Sequence, residues 1–249
     1  MNRHFSQEYL SIKVSHLKDE LDKLPNLRLN MHRGKLVVCS REKKNGKNTK
    51  SVHLLKGKEL EKALAVVERR KSLKNKINQY SVYLDKETIV RKIEIDLEPP
   101  HVLPISLKET MIPDSNTMYP KKNDYWHRKI QMRSRLELQT AAALDSLGLE
   151  FYYEPALEIN GKTYYPDFVV FLPELGCCFI IECLGMVNST EYVYNNMNKM
   201  ANYILAGIIP SKNILTFCGT DTMMPSIDEM KTDIVNLVNK MTISRMITA

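Results

Sequence analysis

The chain has 249 residues, 43% of them apolar, enough for one large domain or a small domain beside a medium one. It carries 36 Lys and Arg against 29 Asp and Glu, a net charge of +7, and contains no apolar run of the length needed to span a membrane. Five cysteines (Cys39, Cys177, Cys178, Cys183 and Cys218) are odd in number and show no CxxC spacing, which argues against a disulfide framework or a zinc site and for free thiols in a reducing, cytoplasmic setting.

The opening stretch "MNRHFSQEYLSIKVSHLKDEL" has no apolar h-region, so no export signal is expected. Apolar residues at Tyr9, Leu10, Val14, Leu17, Leu21 and Leu24 have helical spacing over 6–24, and Pro25 ends the run. Strands are expected near 27–32, 35–41 and 50–55, with turn signals at Arg33-Gly34 and Asn45-Gly46. A second, basic helix begins near Gly57. Residues 1–97 thus predict a small α+β module suited to nucleic acid.

Residues 98–125 hold five prolines, which disfavour a long helix or central strand and mark this stretch as a linker. Beyond it the pattern turns regular over 126–249. "SRLELQTAAALDSLG" reads as a helix closed by Gly148. "EFYYEPALEI" and "KTYYPDFVVFL" flank the hairpin signal Asn160-Gly161, and "GCCFIIECL" is a buried strand. Ser189 caps a helix ending near Gly207, with Val193, Met197, Met200 and Ile204 as its apolar stripe. "NILTF" is a further buried strand, and Ile227, Met230, Ile234, Leu237, Val238 and Met241 line a final helix. The expected fold class is α/β, with an α+β module first.

Charge divides along the same boundary. Residues 1–135 hold 30 basic against 16 acidic side chains, and residues 136–249 hold 6 against 13. One half suits a polyanion and the other suits cations, although a merely lysine-rich surface gives the same totals.

The second half carries three acids of interest. Asp167 follows Pro166 at the head of an apolar strand, where Pro-Asp can also be plain turn chemistry. Glu182 sits inside "CCFIIECLG", where a carboxylate must be paired, protonated or metal-bound. Glu137 lies on the inward face of its helix, but Ser134 three residues before it also makes a capping box. The six histidines all precede residue 128 without ligand spacing. "YWHRKIQMRSR" interleaves Trp126 with Lys129, Arg133 and Arg135, a mix suited to phosphates and exposed bases, unless Trp126 only packs the linker down.

Helix acid, hairpin, "YPDFVVF", then an apolar strand bearing Glu182 and another helix: this order over about residues 130–220 resembles the PD-(D/E)XK nuclease superfamily. "IIECLGMVNSTEYVYNNMNKMANYILAG" is similar to a variant subgroup of bacteria and mobile elements in which E-x-x-G replaces E-x-K. The first 100 residues also look like the module preceding the nuclease domain there. The resemblance implies a restriction-endonuclease-like domain with a mixed central sheet. It implies Asp167, Glu182 and Glu137 as ligands of Mg²⁺ or Mn²⁺, and DNA as substrate of an endonuclease. An RNase of the same fold, a nucleic-acid-binding protein without turnover, and a structural protein whose two halves dock remain alternatives. A homodimer stays open.

The family's usual lysine is missing, because position 184 is Leu. At 100° per residue, Tyr192 and Tyr203 fall within about 20° of Lys199, away from the apolar stripe. That makes Lys199 the candidate replacement and Tyr192 and Tyr203 candidates to line a phosphate path. Lys162, at the hairpin tip, is the weaker candidate. Lys199 is expected to end in solvent or a cleft, contributing little to stability; it also reads as an ordinary solvated helix lysine.

Overall fold

The structure is a computed structural model that describes residues 5–32, 35–44, 47–53, 55–84, 103–118, 120–220 and 222–247. The turns expected at Arg33-Gly34 and Asn45-Gly46, and the first part of the proline-rich stretch, lie outside the described residues. The chain forms two compact units: residues 10–92, and residues 93–249 together with residues 1–9.

The unit of residues 10–92 holds most of α1 (Gln7–Lys23), a three-stranded antiparallel sheet and α2 (Gly57–Ser81). The sheet runs in the order β1 (Leu27–His32), β2 (Lys35–Lys44), β3 (Lys47–His53), so β1 is an edge strand. Leu10, Val14 and Leu17 of α1 are buried, as their spacing predicts, and so are Val37 and Val38 of β2 and Leu73 and Tyr80 of α2. Arg70 of α2 donates to the carbonyls of Leu21 and Leu24 at 2.9 and 2.6 Å, satisfying the C-terminal end of α1.

In the larger unit, β4 (Leu103–Pro104) and the short α3 (Leu107–Thr110) come from the proline-rich stretch. The linker expectation needs correction here. Leu103, Ile105 and Leu107 pack against the core of this unit, and β4 pairs with Cys177 and Cys178. Pro104 is tolerated because β4 takes an edge position, where a missing donor costs little. A hairpin of β5 (Tyr125–His127) and β6 (Ile130–Met132) follows, for which no strand was expected. Trp126 on β5 is 53% exposed, so it does not serve as a packing anchor.

Next comes α4 (Arg135–Leu147), whose Ser134 Oγ accepts the Glu137 N–H at 3.1 Å and whose C-cap Gly148 has φ 72°. The central sheet has the order β12 (Ile214–Cys218), β11 (Cys177–Leu184), β10 (Phe168–Leu172), β7 (Glu150–Tyr153). It is mixed: β11 and β12 are parallel and the other pairs antiparallel. The parallel pair is joined through α5 (Thr190–Leu205). A separate hairpin, β8 (Leu157–Ile159) and β9 (Lys162–Tyr164), turns on Asn160 and Gly161, both at positive φ (50° and 73°), as a tight two-residue turn requires.

Side chains alternate across the sheet. Cys183 points to the face covered by α4 and α6 (Ile227–Ile247), where Thr140 Oγ1 lies 3.4 Å from its sulfur and 3.8 Å from that of Met230. Val169, Phe171, Cys178 and Ile180 point to the other face, where Tyr203 of α5 joins their cluster.

The orientation of α5 differs from expectation. Met197 and Ile204, expected in the core stripe, are 65% and 49% exposed, whereas Tyr203 is fully buried. The helix turns its Tyr192, Lys199 and Tyr203 side toward the sheet. The reason lies in Glu182, whose two oxygens are satisfied only from that side.

Candidate active site

Phe168 pairs with Ile181 in the antiparallel ladder, so Asp167 stands opposite Glu182 one residue further along. Glu182 is 2% exposed, deep in an apolar strand. Its Oε1 accepts the Tyr203 hydroxyl at 2.9 Å and its Oε2 accepts Lys199 Nζ at 2.7 Å. Lys199 also donates to the Tyr165 carbonyl at 2.9 Å, just ahead of Asp167. Asp167 Oδ2 accepts the Cys183 N–H at 2.6 Å. Four side chains from one strand, one helix and one strand entry are therefore brought together, and a buried carboxylate is paired as burial demands.

The electrostatics are strained. Burial, then the neighbouring Glu182 charge, pushes Asp167 well above the usual carboxylate range, and Lys199 only partly offsets this. Burial pulls the Lys199 ammonium down, but Glu182 and Asp167 outweigh it and leave the lysine above its ordinary value. Burial and the adjoining Glu182 charge also raise the Tyr203 phenol, so it stays a neutral donor. Tyr192 reaches toward the strand end, 3.5 Å from the Cys183 carbonyl, and burial pushes its phenol up to about 12.

The substrate-lining role expected of Tyr203 is corrected: with no exposed surface, it can hold Glu182 but cannot touch a phosphate. For Lys199 the solvated alternative falls: its side chain is 22% exposed and pairs with the buried acid Glu182. Lys162 stays exposed, over the Tyr164 ring.

Glu137 is buried, and its charge reaches Asp167, but both of its carboxylate oxygens are hydrogen-bonded by neighbours of its own helix start and by Tyr153. Oε1 accepts Ser134 Oγ at 2.9 Å, and Oε2 accepts the Tyr153 hydroxyl at 2.6 Å and the Arg133 N–H at 2.8 Å. Among the described residues no three His, Cys, Asp or Glu side chains gather as one ligand set, so the expected third ligand is not brought to the other two. Ser134 caps the helix as expected, and the Glu137 carboxylate turns back to the cap, taking the Ser134 hydroxyl and the Arg133 N–H.

Arg133, expected at the substrate, is engaged inward. Its Nε donates to Glu154 at 2.6 Å and its Nη2 to the Asn116 carbonyl at 2.9 Å. Lys129 and Arg135 are exposed. Glu154 itself was missed by sequence reasoning. It is 3% exposed and has φ 41°, its Oε2 has no partner among the described residues, and its N–H donates to the Asp167 carbonyl at 3.0 Å. The signal was present: a glutamate between buried Tyr153 and Pro155 at a strand end. Leu184 ends β11 half-buried, and a side chain at Gly185 would meet nothing within 4 Å, so packing does not dictate that glycine.

The donor set fits a hard divalent cation. Mg²⁺ and Mn²⁺ take oxygen ligands and commonly only one or two protein carboxylates. Asp167 Oδ1 makes no hydrogen bond among the described residues, and each Glu182 oxygen keeps acceptor capacity beyond its one donor. The two acids also carry more negative charge than Lys199 balances. Compared with protein-family models, curated proteins and solved structures, the chain matches none of them, so what the site can do is read from its own residues.

Proposed function

We propose that this chain is a metal-dependent phosphodiesterase acting on DNA, as an endonuclease, with Asp167 and Glu182 as the cation ligands. The observation that supports this most is the pairing of a half-buried Asp167 at the entry to β10 with the buried Glu182 opposite it on β11, and a lysine delivered from the following helix to the second of them. A structural ion pair needs one acid, and the second, Asp167, held through Oδ2 by the Cys183 N–H, keeps Oδ1 for a cation. Mg²⁺ or Mn²⁺ bound there lowers the pKa of a coordinated water and offsets charge developing on a phosphate.

The protein's own groups have separable duties. Tyr203 and Lys199 fix the Glu182 carboxylate, and the Cys183 N–H fixes Asp167. Lys199, with its remaining ammonium hydrogens beside both acids, orients water or steadies phosphate charge in place of a lysine at position 184. Tyr192, and the exposed Lys129 and Arg135, are the groups available to a phosphate backbone.

The test is cleavage of supercoiled plasmid, and of RNA in parallel, with Mg²⁺ or Mn²⁺. Wild type should nick the plasmid, and Asp167→Asn should lose roughly 10²–10³-fold or more. Cleavage of RNA alone would transfer the reading to an RNase. Binding without metal-dependent cleavage of either would leave a nucleic-acid-binding protein that lacks turnover.

A further inference from the structure

Within the unit of residues 10–92, edge strand β1 and helix α2 enclose an open groove of about 540 Å³. Arg28 lines it from the strand, and Arg70, Lys71 and Lys74 line it from the helix. No acid lines it; asparagines, among them Asn30, Asn75 and Asn78, supply the remaining polar wall. Arg28, Lys71 and Lys74 are exposed, with no ion pair among the described residues, while Arg70 is anchored to the end of α1.

Like charges are not collected in a concave surface without cost. Their mutual repulsion weakens the fold, and the walls focus the positive potential into the cleft. Lys71, Lys74, Asn75 and Asn78 follow i, i+3, i+4, i+7 spacing, so they form one ridge along α2. At 1.5 Å per residue that ridge is about 10 Å long, the axial rise of about three nucleotides of a duplex strand at 3.4 Å each. Among the described residues β1 pairs only with β2, so its other edge adds backbone N–H groups of the kind that position phosphates. Asparagine amides add donors and acceptors without introducing negative charge.

We infer that the groove between β1 and α2 is a binding site for the phosphate backbone of a nucleic-acid strand, held by Arg28, Lys71 and Lys74 with Asn75 and Asn78 beside them. The inference rests on the nucleic-acid part of the proposed function and not on its catalytic part. It gives the basic half of the chain a particular surface.

The experiment is equilibrium binding of the full chain to fluorescent oligonucleotides over a salt series, in EDTA so that no cation occupies the Asp167–Glu182 site. Single-stranded DNA, duplex DNA and RNA of equal length are the probes. Arg28→Gln/Lys71→Gln/Lys74→Gln is compared with Lys18→Gln/Lys58→Gln/Lys62→Gln, which removes the same charge from exposed positions outside the groove. All six side chains are exposed, so both proteins should fold, and circular dichroism checks this. The groove variant should bind at least about tenfold more weakly, with its log-affinity against log-salt slope reduced by about 2–3. The control should change far less. Equal losses in the two variants would reduce the effect to bulk charge, and no loss in the groove variant would place the strand elsewhere; either overturns the inference. A wild type that binds but does not cleave when metal is supplied sinks the catalytic reading alone.

Discussion

Lys199 Nζ lies 2.7 Å from Glu182 Oε2 and 2.9 Å from the Tyr165 carbonyl, so one helix lysine ties together the buried acid of β11 and the segment leading into Asp167. The same carboxylate takes the Tyr203 hydroxyl on its other oxygen. Glu182 is thereby satisfied in a strand that offers it no other partner. The arrangement stabilises the fold, and it keeps a fixed carboxylate beside a second one.

Lys199→Ala should therefore be destabilising, contrary to what a surface helix lysine would show. A charge-assisted hydrogen bond to a nearly buried acid contributes about 1.5–3 kcal/mol, and its removal strands that acid. We expect a loss of about 2–3 kcal/mol in urea unfolding without metal. Combining it with Glu182→Gln should recover at least about 1 kcal/mol in a double-mutant cycle, since the charge left behind is then gone. Purely additive losses would mean that the pair is not coupled.

Tyr203→Phe isolates the other contact. The ring keeps its edge-on packing against Tyr164, with centroids 5.7 Å apart, and only the hydroxyl is lost. Glu182 then loses one of two donors in a dry setting, at a cost of about 1–3 kcal/mol. Unfolding at two pH values measures it. A wild-type midpoint would mean that water or another group replaces the phenol.

The pH dependence follows from Asp167. Burial first, and then Glu182, raise its pKa in the folded protein, so the native state binds this proton more tightly than the unfolded chain does. The stability it contributes is full below the ordinary aspartate range and declines as pH rises through the raised folded value. Metal-free wild type should thus lose stability as pH rises from about 4, while Asp167→Asn should be flatter and the more stable protein at the high end. The asparagine oxygen can still accept the Cys183 N–H. Urea midpoints in EDTA over that range decide the matter, and parallel curves for the two proteins would remove Asp167 as the source.

Much of this was legible in the sequence, and the failures have identifiable causes. Continuous apolar runs and turn chemistry located β10, β11 and the hairpin at Asn160-Gly161, because local rules dominate there. Opposing Asp167 to Glu182 needed only the register of a short antiparallel pair. The inward face of α5 was misjudged because hydrophobicity ranks Met197 and Ile204 above tyrosine and lysine. A tyrosine ring and a lysine stem bury well, however, when a strand carboxylate awaits their polar ends. Glu137 was correctly placed inward, but spacing cannot reveal that Tyr153 and the Arg133 N–H already take its Oε2 and Ser134 its Oε1. The proline-rich stretch hid β4 because an edge pairing of two residues leaves no periodic trace.

The exposed side of α5 offers a direct check on that correction. Met197→Gln removes an apolar side chain that is 65% exposed and substitutes another good helix former. Stability should change by no more than about 0.5 kcal/mol, against the 2–5 kcal/mol typical of truncating a buried methionine. Thermal unfolding measures it, and a loss of core size would restore Met197 to the interior.

The decisive thermodynamic prediction concerns the cation, because it requires no knowledge of the substrate. Ionised together, Asp167 and Glu182 would carry two charges against the one of Lys199, and burial first, then the Glu182 charge, raise the pKa of Asp167. A divalent cation that binds the deprotonated pair must displace any proton held there, so its affinity should rise with pH and binding should release a proton. Mn²⁺ binding the native state alone stabilises it by mass action, about 2.7 kcal/mol at one hundred times its Kd. Thermal unfolding of wild type should therefore shift upward with Mn²⁺, more at about pH 8 than at about pH 6. Calorimetry in two buffers of different ionisation enthalpy should register the proton. Asp167→Asn and Glu182→Gln should each abolish the shift. Lys199→Ala should keep it, and should gain more from Mn²⁺ than wild type does, since the cation then supplies the positive charge that Glu182 has lost. Glu137→Gln discriminates between two ligands and three: with its carboxylate committed to Ser134, Tyr153 and the Arg133 N–H, it should leave the Mn²⁺ shift largely intact. An Asp167→Asn protein stabilised by Mn²⁺ as strongly as wild type would show that the cation binds elsewhere, and the paired acids would then be a structural feature of the sheet.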